Sequence, residues 1–201
     1  MNTRLRIVLA VGILAGVVLL SGCLFNLFQT ARTIGAGNVG LTIGSGLMDV
    51  EIDEGTTWAL TPQARLTIGL GDRVDFGVHT GAMFGLTGGQ PGWMGATGDL
   101  KFSLFDDPEA FALSLGFGGG YGVEFLGWGV LGEVLFDSNL SVLPIFIVYQ
   151  PTIPLSAEDF AVWHHVAGGL KLTLSEKARI LLQVDLRAPL VSFGLAIEID
   201  F

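Results

Sequence analysis

Ser192-Phe193-Gly194-Leu195-Ala196-Ile197-Glu198-Ile199-Asp200-Phe201 ends the chain, and Phe193, Leu195, Ile197, Ile199 and Phe201 alternate with Gly194, Ala196, Glu198 and Asp200. A period of two puts the apolar residues on one face of a β-strand and the small or acidic ones on the other. The pattern recurs upstream. Ile180, Leu182, Val184 and Leu186 oppose Arg179, Gln183, Asp185 and Arg187, and Leu170, Leu172 and Leu174 oppose Lys171 and Thr173. Val74, Phe76 and Val78 oppose Asp75, Gly77 and His79, while Leu66, Ile68 and Leu70 oppose Arg65, Thr67 and Gly69. From Asn38 onward no apolar stripe of helical period exceeds a few residues, so residues 38–201 read as all-β.

Working outward from turn signals, strands are expected at 38–48, 57–70, 73–85, 95–105, 110–120, 126–136, 139–150, 161–174, 178–187 and 190–201. Most run to eleven residues or more, whereas ordinary globular strands cluster near ~5–6 residues and tilted membrane strands need ~9–11. The joints at Gly71-Asp72, Asp106-Asp107-Pro108-Glu109, Asp137-Ser138-Asn139 and Ser175-Glu176-Lys177 read as tight turns, and those at 49–56, 86–94, 121–125 and 151–160 as longer loops. Short turns on one side and longer loops on the other are what a membrane barrel shows. The short joint at Ala188-Pro189 breaks that rule. A single antiparallel up-and-down transmembrane β-barrel of about ten strands follows, with eight as the alternative count. A soluble β-sandwich is the alternative architecture, because one amphipathic strand cannot say which of its faces meets water.

Composition narrows the class further. The chain has 201 residues, half of them hydrophobic and only 14% charged, with 30 glycines and a formal charge of −9. Mean hydropathy is +0.62. Such a chain is too apolar for most soluble enzymes, and its negative charge would repel a nucleic-acid backbone. One cysteine, Cys23, closes no internal disulfide, and no Cys/His spacing of a structural zinc site exists.

The start of the chain has the three-part layout of an export signal: Arg4 and Arg6, an apolar run from Ile7 to Leu20, then Leu20-Ser21-Gly22-Cys23. The run is short of the ~20 apolar residues that a spanning helix needs. This stretch resembles a bacterial lipoprotein signal, which implies removal of residues 1–22 and acylation of Cys23. Leu24 is not the aspartate of an inner-membrane retention signal, so the resemblance permits onward transport. Residues 23–37 would then be the lipidated cysteine and a periplasmic tether, or a short amphipathic turn against the leaflet, leading into a barrel at 38–201. The last strand in turn resembles the assembly signal of bacterial outer-membrane barrels, carried here by Ser192, Gly194, Ile197, Ile199 and Phe201. Together the two resemblances imply an outer-membrane location with the N-terminus anchored on the periplasmic side. They also imply outer-membrane lipids and the barrel-assembly and lipoprotein-transport machineries as partners.

With the apolar rows turned outward, Arg65, Asp75, His79, Asp99, Lys101, His165, Lys171, Arg179, Asp185 and Arg187 form a polar lumen network, joined by Glu198 and Asp200. Buried charges of both signs must pair. Ten strands enclose a lumen that side chains largely plug. Gly116, Gly118, Gly119 and Gly120 read as architectural, since no phosphate-loop lysine follows them. Neighbours His164 and His165 point to opposite faces and cannot chelate together. Trp58, Trp93, Trp128 and Trp163 suit an aromatic girdle at the long-loop end, with Phe201 at the opposite belt. Asp49, Glu51, Asp53 and Glu54 are expected in a solvated loop. No serine neighbours either histidine position, so no catalytic residue, metal or cofactor is assigned. The expected role is structural, accessory or binding. The alternatives are a narrow pore for small solutes, a lipid-modifying enzyme and a periplasmic lipoprotein with a soluble sandwich.

Overall fold

The structure, a computed structural model, describes residues 28–52, 55–86, 92–107, 110–122, 127–138, 140, 144–155, 161–187 and 190–201. Cys23 and the export signal lie outside the described residues. Ten strands follow in order: β1 (Val39–Ile52), β2 (Gly55–Gly71), β3 (Val74–Gly85), β4 (Gly92–Asp106) and β5 (Phe111–Gly122), then β6 (Gly127–Ser138), β7 (Ile145–Pro154), β8 (Trp163–Ser175), β9 (Ala178–Arg187) and β10 (Leu190–Asp200). Each pairs antiparallel with its sequence neighbour, and β1 pairs with β10 to close the barrel. The closing ladder runs from Gly40 opposite Asp200 to Leu47 opposite Phe193. One closed sheet of ten strands replaces the two-layer sandwich, and the eight-strand count falls with it.

The period-two rows settle on opposite sides of this wall. Leu66, Leu70, Val78, Leu174, Leu186 and Leu195 are exposed on the outside, Leu174 to 62% of its surface. Opposite them, Asp75, Asp99 and Lys101 are buried inside, Lys101 at 3%. The outer face is therefore apolar, and the enclosed volume holds buried charges together with one apolar cluster, unlike the core of a soluble protein.

Several boundaries differ from expectation. Asp49 and Glu51 belong to the β1–β2 ladder, opposite Trp58 and Thr56, so most of the expected first long loop is strand. Residues 49–52 and 55–57 keep pairing, and strand ends can project past the apolar band without cost. The β6–β7 joint is longer than expected, 139–144, and β7 begins at Ile145. Pro144 marks that start, because a proline has no N–H for a ladder. The contrast between short and long ends is correspondingly weaker than the sequence suggested. Among the described residues no helix is long and apolar enough to cross a membrane.

Candidate functional site: the barrel lumen

The lumen is built by the inward residues of the strands, several of which are held in ion pairs. Arg65 of β2 meets Asp99 of β4 through two bonds, Nη1 to Oδ2 at 2.7 Å and Nη2 to Oδ1 at 2.6 Å. β3 lies between those strands, and at Gly77 a Cβ would collide with the Arg65 guanidinium. The glycine is what lets the pair span an intervening strand. Lys101 Nζ lies 3.1 Å from Asp75 Oδ2, and Lys171 Nζ donates to Asp137 Oδ2 at 2.6 Å. Arg179 bridges Glu198 at 3.1 Å and Asp200 at 2.7 Å. Charged hydrogen bonds of this kind keep a buried polar interior satisfied.

A second cluster sits toward the opposite end. His165 Nε2 lies 3.0 Å from Asp185 Oδ1, Ser192 Oγ donates to Asp185 Oδ2 at 3.1 Å, and Gln183 Nε2 donates to both carboxylate oxygens. Serine, aspartate and histidine are thus gathered, but with the carboxylate in the middle. Activation of a serine nucleophile needs the imidazole between hydroxyl and carboxylate. Ser192 and Asp185 are also completely buried. Among the described residues no group of three or more His, Cys, Asp or Glu side chains is placed to hold a metal ion.

Residues 28–34 form a strap inside this lumen, and residues 35–37 run along its short-turn rim, where Ala36 and Gly37 are exposed. Asn38 and Gly37 lie at the short-turn end beside β2, with Gly37 N donating to Gly69 O at 2.9 Å. From there, read backwards, the strap crosses the short-turn end before entering the lumen. Thr33 Oγ1 donates to Asp72 O, and Ile34 N donates to the Asp75 carboxylate at 3.3 Å. Arg32 pairs with Asp106 at 2.8 Å and donates to Asp107 O at 2.6 Å. Lys101 Nζ donates to the carbonyls of Thr30 at 3.1 Å and Arg32 at 2.5 Å, and Ser114 Oγ donates to Ala31 O. Phe28 and Ala31 complete an apolar cluster with Ala112, Leu135, Phe146, Val148, Ala167, Leu181 and Ala196. The strap carries no period-two register, so no inward parity marked it in the sequence.

Of the expected network, Arg65, Asp75, Asp99, Lys101, His165, Lys171 and Asp185 are buried inside. His79 Nε2 lies 3.0 Å from Gln63 Oε1 there, and Arg179 joins through its two carboxylates. Arg187 stands on β9, with its side chain outside the described residues. Sequence reasoning missed Arg32, Ser114, Glu133 and Gln150, and it assigned Asp137 to a turn although that side chain is fully buried inside β6. Parity with Val134 and Phe136 would have found Glu133 and Asp137.

Aromatic residues ring the outside at two levels. Trp58, Trp93 and Trp128 are exposed near the long-loop ends of β2, β4 and β6, Trp128 to 64%, and Tyr121 lies between Trp93, on which it stacks, and Trp128, which it meets edge to face. Trp163 departs from this girdle: its register opposite Thr152 places it on the inward face. At the short-turn end, Phe111 stacks with Phe105 and Phe136, and Phe201 is exposed. Tyr149 and His164 stack on the outer face with a 2.8 Å hydrogen bond, so His164 points away from His165.

No protein-family model matches the chain, and no curated protein resembles it in sequence. Several solved structures match it at low identity and low TM-score. The N-terminal β-barrel domain of Pseudomonas aeruginosa OprF is 10% identical at a TM-score of 0.40, covering 83% of this chain and 99% of that one. KdgM porin is 7% identical at 0.41, covering 81% and 99%. Neisserial surface protein A is 8% identical at 0.39, covering 82% and 96%.

Proposed function

We propose that this protein is a small barrel of the bacterial outer membrane, lipid-anchored through Cys23 on the periplasmic side, with a lumen closed by its own strap. Its role is structural, accessory or binding rather than catalytic, with outer-membrane lipids as its surroundings and the barrel-assembly and lipoprotein-transport machineries as its route there. The observation that carries this reading is the inverted wall: greasy rows exposed outside, ion pairs buried inside. In water so large an apolar exterior is an aggregation surface, whereas in lipid it is the solvated face. Only a closed sheet or a helix satisfies every backbone group in hydrocarbon.

The aromatic belts agree in spacing. Phe111 and Tyr121 lie ten residues apart on β5, both facing out. At ~3.3 Å per residue and a tilt of ~40°, that separation is about 25 Å along the barrel axis, the height of the apolar band of an outer-membrane barrel. The strap supports a closed lumen over a narrow pore, and the buried serine–aspartate–histidine order gives no support to lipid-modifying catalysis.

Migration of the purified membrane fraction with and without boiling, together with planar-bilayer recording, tests the proposal. A boiling-dependent shift and an electrically silent protein are expected. Migration unchanged by boiling would sink the membrane-barrel reading, and steady conductance by the intact chain would sink the closed lumen.

A further inference from the structure

The strap occupies the short-turn part of the lumen without belonging to the wall. The strands β1 to β10 close by pairing with one another alone, and no strap residue enters a ladder. Wall side chains reach the backbone of Phe28 to Ile34, Lys101 to two carbonyls, Ser114 to a third and the Asp75 carboxylate to an N–H, while the Arg32–Asp106 pair and the packing of Phe28 and Ala31 in the apolar cluster add side-chain contacts. The wall is also shaped for it. A Cβ at Gly44 would collide with the Phe28 ring, and one at Gly69 with the Gly35 carbonyl. Phe28 and Gln29 line two small spaces of about 20 and 10 Å³.

Vacated, the lumen would be acidic. Among the described side chains Arg65, Lys101 and Lys171 each already face a carboxylate and Arg179 faces two, while Glu133 and Asp185 are further buried acids. Arg32 leaves with the strap. A narrow passage lined by excess carboxylates concentrates cations and excludes anions.

We propose that residues 28–34 are a removable plug, and that the barrel they occupy is, once vacated, a cation-selective passage whose wall binds an extended peptide through its backbone. This rests on the closed-lumen reading above.

The test reconstitutes the wild-type chain and a variant lacking residues 28–34 in planar bilayers under a potassium chloride gradient, with heat-modifiable migration verifying that each is a folded barrel. The wild type is expected to stay silent. The deletion is expected to show unitary steps that reverse toward the potassium equilibrium potential, and a synthetic peptide Phe-Gln-Thr-Ala-Arg-Thr-Ile is expected to abolish them. A folded deletion variant that stays silent, that reverses toward the chloride potential, or that the peptide leaves unblocked overturns the proposal but leaves the closed-lumen reading standing. Wild-type currents equal to those of the deletion overturn both. Should the deletion fail to fold, Arg32→Glu keeps every strand and sets a carboxylate against Asp106 and Asp137. Cation-selective steps from that variant support the plug, and silence from the folded protein overturns it.

Discussion

At the scale of single residues, the Arg65–Asp99 pair shows why charge survives inside this barrel. Two short parallel bonds satisfy a guanidinium and a carboxylate that are both buried, and Gly77 leaves the space through which they meet. Removing one partner strands the other. Asp99→Ala is expected to cost about 3–5 kcal/mol in denaturant unfolding, while replacing both residues by apolar ones of similar volume should cost much less. Equal losses for the single and double variants would show that the pair is not the unit of stability. Parity alone made Arg65, Asp75, Asp99 and Lys101 legible in the sequence, because inward and outward residues alternate along a strand. Their partners across the lumen were not legible. Lys101 contacts Thr30 and Arg32 from 71 and 69 residues away, and no local pattern encodes such a contact.

At the scale of the element, β10 joins the two lines of reasoning. Its register against β1 and β9 places Leu195 between Ser45 and Leu182, exposed on the outer wall, while Ala196 beside it is buried inward against the strap cluster. Leu195→Arg is expected to destabilise the protein in lipid bilayers by about 2–4 kcal/mol, the cost of a cation near mid-bilayer. A change within about 0.5 kcal/mol, ordinary for a water-facing site, would contradict the lipid-facing assignment. Strand existence was legible throughout, and the ends less so. Asp49 and Glu51 look like a loop by composition yet keep pairing, since a polar strand end outside the apolar band has no reason to stop. Asp137 looks like a turn residue because aspartate favours turns, but the Lys171 ammonium holds it inside.

At the scale of the whole molecule, two independent attachments are expected, the barrel wall and the acyl chains on Cys23. Cys23→Ala should abolish metabolic fatty-acid labelling yet leave the protein in the detergent-extractable membrane fraction, because the apolar exterior suffices to hold it. Release into the soluble fraction would mean that the lipid, not the wall, is the anchor. The strap belongs to this scale too. It joins strands far apart in sequence, from Asp72 to Ala196, through contacts that exist only after closure.

Local patterning was enough to establish that the chain is a series of amphipathic strands, where most of them lie, and which residues share a face. Period-two alternation is a local property that survives any arrangement of the strands. Only the tertiary structure decided which face is inside. Alternation reads the same from either side, and the answer depends on whether the sheet closes on itself or packs against another. Closure also decided the fate of residues 28–34. A segment without strand register finds its place by filling what the wall leaves open, and that volume exists only once β1 has met β10.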